Sequence, residues 1–152
     1  MLNFYDFEVF KYDNLVVIIN PITKTKEIIW NDKEHLEQYY NEHKGEIWIG
    51  FNSRNYDQYI LKGIICGFNP KEINDFIIVK GMKGWQFSGL LRNVPLNDFD
   101  IMTGFNGLKT LEGFMGNNIK ETSIPFDIKR IFYIYGVDDS VRGGHRHHTT
   151  LQ

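Results

Sequence analysis

Alanine does not occur among these 152 residues, and cysteine occurs only once. Alanine is the strongest intrinsic helix former, so any helix here has to be held by packing rather than by propensity. One thiol, Cys66, excludes an internal disulfide and any zinc site built from cysteines alone. Its setting, Ile64-Ile65-Cys66-Gly67-Phe68, is that of a buried small hydrophobe rather than a reactive thiol. Long apolar runs are missing too. The longest aliphatic run, residues 15–19, is far too short to span a bilayer. The opening, Met1-Leu2-Asn3-Phe4-Tyr5-Asp6, lacks the basic stretch and apolar core of a secretory signal. A cytoplasmic location without a membrane partner is the expectation. Neither sign of charge dominates: 17 basic and 19 acidic residues give a net charge of −2. That balance neither demands nor excludes a nucleic-acid partner, because carboxylates that hold cations can bind phosphate through the metal. What is present is ample apolar material, 42% hydrophobic and 15% aromatic residues, which argues for a packed core and against disorder. The length fits one domain, or one domain with a short appendage.

Along the chain, residues 4–12, 15–19 and 27–30 read as three strands, the last two joined as a hairpin by the polar, Pro-containing turn at 20–26. Asn31 or Asp32 can cap a helix running to about His43, with Leu36, Tyr39, Tyr40 and His43 near one face. Residues 46–52 form a fourth strand, apolar enough to be central. A helix over 55–65 carries Tyr56, Ile60 and Ile64 at a spacing of four, and Asn69-Pro70 opens a shorter one to about Phe76. Residues 77–79 fit a strand or the buried end of that helix. The glycine-bearing stretch 80–93 reads as irregular, 96–102 as a fifth strand, and 108–115 as a helix stopped by Gly116-Asn117-Asn118. Alternation of this kind supports an α/β class. Three antiparallel strands followed by alternating helices and strands resemble the RNase H-like mixed sheet with flanking helices. Beyond Pro125 the character changes: 127–135 is a basic, aromatic strand, and three of the five histidines lie in the last eight residues.

Asp6 and Glu8 stand two apart on the first strand, so both project from one face. Paired carboxylates repel unless a cation neutralises them, and hard oxygen ligands suit Mg²⁺ or Mn²⁺. An exposed acid pair on an edge strand is the plain alternative. Asp57 falls in the first turn of the second helix, where the dipole favours a carboxylate, and parallel packing would carry it to the sheet end that holds Asp6.

Tyr5-Asp6-Phe7-Glu8 and Asn52-x-x-x-Tyr56-Asp57 resemble the first and second motifs of DEDD-type 3′–5′ proofreading exonucleases. Residues 108–116 are similar to the helix before the third motif in phage-type DNA polymerase proofreading domains. The resemblance covers about residues 1–125. It implies two-metal phosphodiester hydrolysis on single-stranded 3′ ends of DNA, with a polymerase module as a possible companion and a phage-infected host cytoplasm as a possible setting. By that resemblance Asp6, Glu8 and Asp57 would be the catalytic metal ligands, with Asn52, Phe7 and Tyr56 toward the substrate. Phe7, Phe51 and Tyr56 equally fit a core. The family's fourth carboxylate, on a late helix, is missing. Tyr135 and Asp139 have its spacing, but a strand end, a glycine and a turn separate them.

Residues 124–152 resemble something else. The segment from Ile124 to Gly136, followed by Arg142-Gly143-Gly144-His145-Arg146-His147-His148, is similar to the early barrel of cupin sugar-nucleotide 3,4-ketoisomerases. That resemblance implies proton transfer on a dTDP-4-oxo-6-deoxy sugar, with His145 and His147 matching the active-site pattern; a solvated histidine-bearing tail is the plain alternative. The chain then divides into an incomplete exonuclease-like domain at 1–125 and a β-rich, cupin-like segment at 126–152. The two resemblances meet near residues 124–130, as they would at a fusion or a recombined reading frame. Three expectations follow: an exonuclease-like domain impaired by its missing motif, a fragment of a sugar-nucleotide isomerase, and a non-catalytic module for single-stranded DNA.

Overall fold

The computed structural model describes residues 1–103. Over these residues the chain runs β1 (Leu2–Val9), β2 (Asn14–Asn20), β3 (Thr25–Trp30), α1 (Lys33–His43), β4 (Ile47–Gly50), α2 (Asp57–Cys66), α3 (Pro70–Ile78) and β5 (Asn97–Asp100). Short 3₁₀ turns occupy Gly84–Gln86, Gly89–Asn93 and Ile101–Thr103. The five strands form one mixed sheet in the order β3-β2-β1-β4-β5.

The antiparallel half is local. β2 and β3 pair from Leu15↔Trp30 to Asn20↔Thr25, as the hairpin reading expects. The turn is closed by the Asn20 side chain, whose Oδ1 accepts from the N–H groups of Ile22 at 3.0 Å and Thr23 at 3.2 Å. β1 pairs antiparallel with β2 and parallel with β4, and β4 pairs parallel with β5. A parallel neighbour needs a crossover, and α1 and the α2–α3 segment supply the two crossovers.

Alternation along β1 divides the core. Tyr5, Phe7 and Val9 join Trp48, Leu36 and Tyr40 of α1, Ile60 and Leu61 of α2, and Ile73 of α3, so the three helices share this face. Leu2 and Phe4 point the other way, into a second cluster with Val17, Ile19, Ile49, Phe51 and Ile101. Each fully buried large apolar side chain contributes about 1.5–3 kcal/mol, which offsets the weak intrinsic propensity of alanine-free helices.

Helix ends follow local chemistry. Asp32 caps α1, its Oδ1 accepting from His35 N–H at 3.1 Å. Asn69 caps α3, with Pro70 in its first turn. Gly67, at φ 93°, ends α2 in the left-handed conformation.

Several boundaries differ from expectation. The first strand ends at Val9 rather than at residue 12, because Phe10 N–H turns to Asp13 O at 2.7 Å. The fourth strand is Ile47–Gly50, shorter than 46–52, since Asn52 adopts φ 58°. Of the two alternatives for residues 77–79, the structure bears out the helix end, with α3 running to Ile78. The fifth strand stops at Asp100, where the chain enters a 3₁₀ turn. The helix expected at 108–115 and the strand expected at 127–135 lie outside the described residues.

Candidate functional site

The C-terminal ends of β1, β4 and β5 converge beside the start of α2, and polar side chains concentrate there. Asp57 is fully buried, and its Oδ1 accepts the Phe7 backbone N–H at 2.9 Å. The reason is geometric. β4 pairs with β1 only as far as Phe4, so further along β1 the first turn of α2 meets the strand edge instead.

Two carboxylates of β5 complete the cluster. Asp100 organises the loop after β4: its Oδ1 accepts from Asn52 N–H at 2.8 Å and Met102 N–H at 2.9 Å, and its Oδ2 from Arg54 N–H at 3.1 Å. Asp98 accepts the Tyr5 hydroxyl at 2.6 Å. Burial pushes the Asp98 carboxyl up to about 6; hydrogen bonds from Tyr5 and Ser53 work against that rise, and the charges of Asp57 and Asp100 add to it. Tyr5 is raised well above its ordinary value, first by burial and then by the charges of Asp98 and Asp57. A small cavity of about 190 Å³, lined by Arg54, Asp98, Phe99 and Asp100, opens at this end of the sheet.

The residues singled out by sequence are distributed differently. Asp6 is buried and Glu8 half-buried on the face that carries Leu2 and Phe4, whereas α2 packs on the face that carries Tyr5 and Phe7. Asp6 and Glu8 thus share a face, as expected; α2 packs on the other one, while its Asp57 side chain reaches the edge of β1 at the amide joining Asp6 to Phe7. Among the described residues, no group of three or more His, Cys, Asp or Glu side chains is placed to hold a metal ion. Phe7 and Tyr56 are core residues, each 1% exposed, and the Tyr56 hydroxyl donates to Asn74 Oδ1 at 2.5 Å. Asn52 shapes the turn, its Oδ1 accepting from Asn55 Nδ2 at 3.0 Å. His145, His147, Tyr135 and Asp139 lie outside the described residues. Asp98, Asp100 and Arg54 were missed by sequence reasoning; Asp98-x-Asp100 repeats the one-face spacing of Asp6-x-Glu8 and was the available signal.

Comparison with known proteins bears on the other end of the chain. Residues 100–152 match the family model FdtA: WxcM-like, C-terminal. That model describes a cupin-like sugar-nucleotide isomerase domain, and the matched stretch of this chain takes in the whole segment from Arg142 to His148. No curated protein and no solved structure matches the chain. The finding corrects the exonuclease, nuclease and polymerase-proofreading expectation, since the family found is one of sugar-nucleotide isomerases. The packing gives the physical reason why two short motifs misled. Asp57 accepts a β1 backbone N–H and Tyr56 donates to Asn74 of α3, so an acid and an aromatic have structural partners at those positions. No helix among the described residues is long and apolar enough to cross a membrane.

Proposed function

We propose that residues 100–152 contribute the opening of a cupin-type sugar-nucleotide 3,4-ketoisomerase, and that the preceding mixed α/β unit is a separate module joined to it. The family match over 100–152, which includes His145 and His147, carries this reading. The 4-oxo group of a dTDP-4-oxo-6-deoxy sugar acidifies the neighbouring C3–H. A base takes that proton, the electron pair forms an enediolate, the O3 hydroxyl proton passes to O4, and a proton delivered to C4 leaves the oxo group at C3. One proton leaves and one returns, so neither oxidant nor reductant is required. Histidine suits both transfers because its ordinary pKa lies close to neutrality.

For the module, the strand order β3-β2-β1-β4-β5, with three antiparallel strands followed by two parallel ones, supports an RNase H-like reading of the fold. Fold alone assigns no chemistry to it. The family match begins at Asp100, the last residue of β5, and the compositional change comes after Pro125. We place the join between those positions.

The test is isotopic. The protein is incubated with dTDP-4-oxo-6-deoxyglucose in D₂O and followed by proton NMR. Deuterium should enter at C4 of the 3-oxo product as the C3–H signal disappears, and His145→Asn and His147→Asn should each slow entry at least about a hundredfold, the scale of a lost acid–base group. Exchange that is absent, or that continues at the parent rate in both variants, removes the isomerase reading.

A further inference from the structure

A second cleft lies on the helical side of the module, between the start of α2 and the chain after α3. It has a volume of about 440 Å³ and is lined by Arg54, Asn55, Tyr59 and Ile77 on one side and by Met82, Lys83, Gly84 and Trp85 on the other. That volume falls within the range of roughly 300–1,000 Å³ usual for small-molecule sites.

The wall bearing Trp85 is built rather than loose. Phe87 is held edge-on between Phe68 and Phe76, each ring 5.3 Å away. Lys83 N–H donates to Gln86 Oε1 at 3.1 Å, and Gln86 N–H to Lys83 O at 2.9 Å. Gly84 sits directly against the Tyr59 ring, where an added Cβ would come within 2.2 Å of a ring carbon. The turn is thereby fastened to α2, yet Trp85 stays 63% exposed. A large indole held in water on a fixed turn costs solvation free energy in the free protein and returns it to a ligand that covers the ring.

The charge of the cleft has one sign. Its lining carries Arg54 and Lys83 and no carboxylate. Ion pairs among the described residues join His35 to Glu27, His43 to Glu46 and Lys71 to Asp75, leaving Arg54 and Lys83 out. Lys62 Nζ adds a further cation 5.7 Å from the Tyr59 ring centre. Asn55 offers an amide that can both donate and accept.

An exposed indole, two cations that form no ion pair among the described residues, although Arg54 also borders the cavity that holds Asp98 and Asp100, and an amide describe one chemistry: a flat aromatic group joined to an anion. We propose that this cleft binds a nucleotide, with the base on Trp85 and the phosphates on Arg54 and Lys83. The source can be a free nucleoside diphosphate or a unit of a single strand, since stacking and phosphate contacts serve both. The proposal concerns the module alone and stands apart from the isomerase reading of residues 100–152.

Equilibrium titrations separate the cases. Thymidine 5′-diphosphate, thymidine, pyrophosphate and a short oligothymidylate are each titrated against Trp30→Phe protein, in which Trp85 is the exposed emitter beside the buried Trp48, with the fluorescence change absent from Trp30→Phe/Trp85→Phe protein as the signal. Saturable quenching by thymidine diphosphate, at least about tenfold weaker with thymidine or pyrophosphate alone, is expected. Trp85→Ala and the pair Arg54→Ala/Lys83→Ala should each weaken binding at least about tenfold by calorimetry. His145→Asn/His147→Asn should leave it unchanged, which keeps this outcome distinct from failure of the isomerase reading. Oligothymidylate binding that depends on the same residues and is displaced by the diphosphate would identify a strand as the source. Absence of saturation for both diphosphate and oligothymidylate up to about 5 mM would overturn the proposal. So would binding that is indifferent to Trp85 and Arg54/Lys83.

Discussion

At the scale of single residues, the end of the sheet is governed by where carboxylates find donors. Asp98 is the clearest case. In the unfolded chain it titrates near 4, whereas burial holds it at about 6 in the fold. Between those values the native state keeps a proton that the unfolded state has released. The stability associated with that proton is full below about pH 4 and is lost as pH rises through 6, an effect on the order of 2 kcal/mol. Urea unfolding at pH 4 and at pH 6.5 should show a drop in the parent protein that Asp98→Asn reduces; an equal drop in both would remove Asp98 as its source. Asp57 makes the complementary argument, because its Oδ1 accepts a buried backbone N–H. Asp57→Ala strands the Phe7 N–H and should cost about 2 kcal/mol, while Asp57→Asn, which retains an acceptor oxygen, should cost less than half of that. If the two variants are equally destabilised in chemical denaturation, the negative charge matters and the acceptor alone does not.

Among elements, the contact between α2 and α3 is the tightest. Gly63 faces Ile73 so closely that an added Cβ would lie 1.9 Å from Ile73 Cδ1, and Ile73 is wholly buried with nowhere to retreat. Gly63→Ala gains helix propensity but overpacks this junction, and overpacking should win by about 1–3 kcal/mol. Ile73→Val in the same background should recover part of the loss in thermal unfolding, and no recovery would show that the strain lies elsewhere. Cys66 was expected to be buried. It is half-buried near the C-terminus of α2, and its Sγ lies 3.5 Å from Leu90 O in the following segment. Burial nonetheless raises its thiol pKa, with Lys33 opposing, which is the direction of an unreactive cysteine.

For the whole molecule the question is how the module and the isomerase-like segment come to share a chain. We expect a genomic read across the codons for residues 120–135 to hold one frame, continuing past Gln152 into further barrel strands. A broken frame there would assign the join to recombination and withdraw the isomerase proposal for this chain. An intact frame would make the nucleotide cleft and the isomerase-like segment two parts of one product.

Local sequence determined a good deal. The β2–β3 hairpin and the Asp32 and Asn69 caps rest on neighbours a few positions apart, so they were legible as written. The one-face placement of Asp6 and Glu8 follows from strand periodicity in the same way. Only tertiary structure decided which groups meet. Tyr5 and Asp98 are 93 positions apart, and Asp57 reaches Phe7 across 50, contacts that depend on strand order rather than on any local pattern. The same packing put α2 on the face opposite Asp6 and Glu8, and gathered Arg54, Lys83 and Trp85 around one cleft. Motif spacing records which residues are near in the chain; the sheet and its crossovers decide which are near in space, and chemistry depends on the second.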